Sequence, residues 1–78
     1  MKFAQRDEGN YRIYAGALET PRGPYRTSLV IMRTGGLSKP TETYREELLP
    51  RTFTDSQEAL EYAMKQAHRA LVRQLRAV

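Results

Sequence analysis

The chain of 78 residues contains no cysteine, a single histidine and no apolar run longer than four residues. Without cysteine, neither a disulfide nor a thiolate metal site can supplement the core, and the composition fits a reducing compartment. The single histidine, His68, has no second imidazole or thiolate with which to share an ion, so no metal or other cofactor is expected. The longest apolar run, Leu29 to Met32, falls far short of the ~20 residues that cross a bilayer, so no membrane partner is expected. Met1 to Asn10 is polar after Phe3 and lacks the apolar stretch of a signal peptide, which points to a soluble cytoplasmic protein. Repeats, low-complexity tracts and long linkers are also missing, so residues 1–78 read as one small domain. A domain of this size buries only roughly 60% of its unfolded surface, which leaves a marginal core.

Positive charge, by contrast, is in excess. Ten arginines and three lysines against nine acids leave a net charge of +4. A basic balance suits nucleic acid or an acidic protein partner, although a charge of this size also serves solubility alone.

The first 52 residues read as sheet. Phe3 to Arg6 fits a short edge strand, and Asp7-Glu8-Gly9-Asn10 has turn chemistry. Tyr11 to Leu18 alternates, with Tyr11, Ile13, Ala15 and Ala17 on one face. Gly16 within it implies a bulge or a close approach of another group. Glu19 to Pro24, with two prolines and a glycine, is a hairpin loop. Tyr25 to Thr34 is the best strand, rich in β-branched and aromatic residues. Its centre, Leu29-Val30-Ile31-Met32, is apolar on both faces. One helix covers one face of a sheet, so the other requires the N-terminal segment or a second copy of the chain. Gly35 to Pro40 is a turn. Thr41 to Leu49 supports a strand through Thr41, Thr43 and Tyr44 and a helix through Glu46 to Leu49; strand is the preferred reading, and Pro50 ends either.

Residues 53–78 read as one amphipathic helix, from about Asp55. Thr54 or Asp55 caps it, with Gln57 or Glu58 placed to complete a capping box. Leu60, Ala63, Met64, Ala67, Leu71, Leu75 and Val78 recur at intervals of three and four, the spacing of a buried stripe. Opposite runs a cationic row, Lys65, Arg69, Arg73 and Arg76, with no acid after Glu61. Such a row can follow a phosphate backbone. It also complements the helix dipole, with Asp55, Glu58 and Glu61 at the other end and Glu61 placed to pair with Lys65.

Catalysis is poorly supplied. A serine nucleophile (Ser28, Ser38 or Ser56) would need His68 as base and a third group to orient it, and no spacing points to such a unit. Glu42, Glu46 and Glu47 read as surface carboxylates. Gly35-Gly36 before Ser38-Lys39 lacks the spacing of a phosphate-binding loop. No catalytic residue is assigned.

The stretch Arg22-Gly23-Pro24-Tyr25 leading into a hydrophobic strand, with a helix last, resembles the second half of a double-stranded RNA-binding domain. That resemblance implies lysines at the start of the last helix. Asp55-Ser56-Gln57-Glu58 stands there instead, so no residue role is carried over.

The expected fold is α+β: three or four antiparallel strands with one long C-terminal helix packed on one face. The expected function is non-enzymatic binding or assembly, as a homodimer that meets through Val30, Met32 and Tyr14 on a sheet face. The alternative is nucleic-acid binding through Lys65, Arg69, Arg73 and Arg76, joined by Arg12 and Arg26.

Overall fold

Local chemistry accounts for both hairpins. In the computed structural model, which describes residues 2–35, 39–47 and 49–76, β1 (Lys2–Glu8) and β2 (Tyr11–Glu19) pair with Glu8 opposite Tyr11. Only Gly9 and Asn10 remain to turn the chain. Gly9 takes φ +57°, and glycine at the first central position is the pattern of the tight type II′ turn. β3 (Tyr25–Arg33) returns antiparallel beside β2 after a loop of Thr20 to Pro24. There Pro21 presets the turn and Gly23 adopts φ +102°, while the Gly23 amide donates to Thr20 O at 3.0 Å.

The doubtful segment is a strand. β4 (Thr41–Glu46) pairs with β3, with a register shift between Ile31 and Met32 that leaves Thr43 as the extra residue. A fifth strand, β5 (Thr52–Phe53), pairs with Tyr25 and Arg26 farther along β3 and was not anticipated. Between the two, Leu49 donates its amide to Thr27 O at 2.8 Å and drops its side chain into the core. The sheet order is therefore β1-β2-β3-β4, with β5 continuing the β4 side. Sheet extends through Phe53, one residue past the expected boundary.

The helix α1 (Ser56–Arg76) starts where the capping signal placed it. Asp55 Oδ2 accepts the Glu58 amide at 3.3 Å, so Asp55 is the cap and Glu58 stands three residues on. Its buried face is Ala59, Leu60, Ala63, Ala67, Ala70 and Leu71. Two of these, Ala59 and Ala70, lie outside the expected stripe. Leu75 is a correction to that stripe: it is 55% exposed, because α1 extends past the sheet that covers its earlier turns. Val78 lies outside the described residues.

The core lies between α1 and one sheet face. Ile13, Leu29, Ile31 and Leu49 pack against Ala67, Ala70 and Leu71, with Tyr11 and Tyr44 at the margin. Toward the helix start, Ala15 and Ala17 meet Ala59, Leu60 and Ala63. Facing alanines let helix and strand approach closely. The bulk of Ile13, Leu29, Ile31 and Leu71 supplies most of the burial, at roughly 1.5–3 kcal/mol per side chain.

Behind the sheet lies no further layer among the described residues. β1, the one segment able to fold over the back, pairs beside β2 instead. Val30 and Met32 are only partly buried as a result. No helix among the described residues is long and apolar enough to cross a membrane.

Candidate interaction surfaces

Strand alternation assembles the first surface. With Ile13, Ala15, Leu29 and Ile31 turned to the helix, their neighbours point the other way. The register then aligns Phe3, Gly16 and Ser28 in one row, Gln5, Tyr14, Val30 and Arg45 in the next, and Asp7, Arg12, Met32 and Glu42 in the third. Tyr14, Val30 and Met32, expected to form an interface, thus share one face, and Tyr14 and Val30 are direct cross-strand partners. Tyr14 is 36% exposed, whereas Tyr11 packs against the core.

Phe3 belongs to this surface and was not anticipated there. It is 69% exposed and its ring lies over Gly16, where an added Cβ would stand 3.6 Å from the ring and 2.9 Å from Ser28 Oγ. Gly16 therefore provides a close approach, and no register shift occurs at it. An aromatic paired across from a strand glycine was the signal available in the sequence.

The charges around this field are paired within the chain. Arg12 Nε donates to Asp7 at 2.7 Å, and Arg45 donates to Glu42 at 2.6 Å while lying 3.7 Å from Glu47. The hydrogen bond from Arg45 draws the Glu42 carboxyl below its ordinary range. Arg26 reaches sideways, donating from Nη2 to Leu49 O at 3.2 Å. It thereby holds the connection that leads to β5.

The second surface is the outer side of α1. Lys65, Arg69, Arg73 and Arg76 are all exposed. No carboxylate lies within ion-pairing distance of any of them among the described residues. The expected Glu61–Lys65 pair does not form; Glu61 lies 3.5 Å from the Gln57 amide instead. Arg69 and Arg73 line an open depression of about 530 Å³ with Gln66, His68 and Val72. Arg12 and Arg26, grouped with this row as candidate phosphate contacts, lie across the sheet from it. The backbone separates them because they alternate with Ile13 and Thr27, which face the helix.

His68 is exposed and joins the helix to the first hairpin, with Nδ1 3.2 Å from Glu8 Oε2. No serine accompanies that pair: Ser28 lies on the other sheet face, Ser56 is roughly 18 Å along the helix by its rise per residue, and Ser38 falls outside the described residues. Tyr44 donates its hydroxyl to Glu46, which raises the phenol above its ordinary pKa. Among the described residues no three His, Cys, Asp or Glu side chains gather as metal ligands.

Comparison with known proteins finds no matching family model, no matching curated protein and no matching solved structure.

Proposed function

We propose that this protein is a non-enzymatic assembly module of the cytoplasm whose working form is a homodimer joined through the sheet face opposite α1. The observation that carries this reading is the open field of Phe3, Tyr14, Val30 and Met32 on a small domain. Exposed apolar fields of this kind mark contact sites.

Charge favours a second copy as the occupant. Asp7–Arg12 and Glu42–Arg45 flank the field as ion pairs, so the face is close to neutral on a chain of net charge +4. Two such faces meet without like-charge repulsion, and a twofold axis makes each patch its own complement. Four strands of seven, nine, nine and six residues present about 500 Å² per copy. Two copies would bury ~1,000 Å², the area a specific interface has to clear.

Light scattering coupled to size exclusion tests the proposal. The expected mass is twice the 9.0 kDa chain, and Met32→Lys is expected to return a folded species of single mass. A wild type that is monomeric at high micromolar concentration overturns it.

A second reading, nucleic-acid binding, is favoured by one specific observation. The row Lys65, Arg69, Arg73 and Arg76 is exposed and uncommitted to any described carboxylate. In a dimer joined back to back, two such rows would face outward on opposite sides.

A further inference from the structure

We propose that the recess between α1 and β5 is a binding site for an arginine side chain carried by a partner protein, and that Arg51 occupies it as a resident stand-in. The floor is aromatic. The rings of Phe53 and Tyr62 lie 5.0 Å apart between centroids, inclined at 48°. The Arg51 guanidinium carbon stands 5.0 Å from the Phe53 centroid and 5.4 Å from the Tyr62 centroid. Two ring faces therefore already hold one planar cation, which is the interaction that a ring quadrupole offers a guanidinium.

The rim adds negative charge. Glu58 and Glu61 line the recess of about 320 Å³ together with Arg51, Phe53, Tyr62 and Lys65. Neither carboxylate has a cation within ion-pairing distance among the described residues. On a chain with excess positive charge, two acids without an ion-pair partner beside an aromatic pair form an unusual local environment. Lys65, one helical turn beyond Glu61, stands at that end of the recess.

Arg51 is also easily displaced. It is exposed, and among the described residues it makes no side-chain hydrogen bond or ion pair. Only the rings hold it. An incoming guanidinium makes the same ring contacts and can add a bidentate bond to Glu58 or Glu61. Self-association through the opposite sheet face leaves this site untouched, so the two proposals stand or fall separately.

The test is a titration of the full chain with acetyl-Gly-Arg-Gly-amide, followed by the ring proton resonances of Phe53 and Tyr62. The neutral citrulline peptide serves as control. In Arg51→Ala, those resonances are expected to shift and saturate with the arginine peptide and to stay in place with citrulline. The wild type is expected to bind about two- to five-fold more weakly, because its own arginine competes with a contact of this strength. Glu58→Gln combined with Glu61→Gln is expected to weaken binding further. Equal response to both peptides, or no ring response in a folded Arg51→Ala, overturns the proposal. Should Arg51→Ala not fold, Arg51→Gln takes its place, and should neither fold, absence of a ring response in the wild type at millimolar peptide overturns it.

Discussion

Leu71 and Leu75 occupy equivalent places in the helical repeat, yet their surroundings differ completely. Leu71 is 3% exposed in the main cluster, whereas Leu75 is 55% exposed. Leu71→Ala is expected to cost about 2–5 kcal/mol and Leu75→Ala less than about 0.5 kcal/mol, as read from chemical denaturation. Comparable losses at the two positions would mean that α1 is seated along its whole length. Thr27 makes a sharper case. It is fully buried between Leu29 and Tyr25 on the helix-facing side, and its hydroxyl has no hydrogen-bond partner. Thr27→Val keeps the shape and removes the unpaired polar atom, so it is expected to raise stability by about 1 kcal/mol. A lower denaturation midpoint for that variant would show that the hydroxyl is satisfied in solution.

Among the elements, α1 carries its own start signal, and the strands owe more to their neighbours. The Asp55 cap meets the Glu58 amide, and Asp55→Ala is expected to cost about 1 kcal/mol, seen as faster amide exchange in the first helical turn. If exchange there is unchanged, the helix start is held by packing of Ser56 and Ala59 instead. β4 shows the opposite dependence. Its residues divided between helical and extended preferences, and pairing with β3 chose the extended form. The bulge at Thr43 follows from that pairing, and the Thr43 hydroxyl donates back to Ile31 O at 3.3 Å. β5 is two residues long. No periodicity can announce so short a strand; it forms where Leu49, buried in the core, and Phe53, packed against the core margin, bring the chain back alongside Tyr25 and Arg26.

Across the whole molecule the two candidate surfaces lie on opposite sides of one sheet. The sheet side is apolar with paired charges, and the helix side carries four cations in a row. If that row meets four phosphates of duplex DNA, log affinity is expected to fall against log salt with a slope of about −3.6. Substituting Arg12 or Arg26 should leave that slope unchanged, since both lie across the sheet, while Arg69→Gln should reduce it by about 0.9. A flat salt dependence, or no binding to single- or double-stranded nucleic acid at low salt, removes this reading and leaves the row as a complement to the helix dipole.

The residues by themselves determined the α+β class, the antiparallel run of strands before the helix, both hairpin turns and the capped C-terminal helix. Each of these follows from information within a few residues: alternation, a glycine at a turn, a carboxylate ahead of a periodic stripe. They also placed Val30 and Met32 on one face, because alternation along a strand needs no partner to be read, while the β2–β3 register set Tyr14 beside Val30. Only the tertiary structure decided where the sheet ends beneath α1, and hence that Leu75 is in water. It likewise decided that β1 lies beside β2 rather than across the back, that Arg12 and Arg26 face away from the cationic row, and that Arg51 sits over Phe53 and Tyr62. These facts depend on distances between segments far apart in the chain. Such distances are set by which pairings bury the most apolar surface together, and no local pattern encodes that outcome.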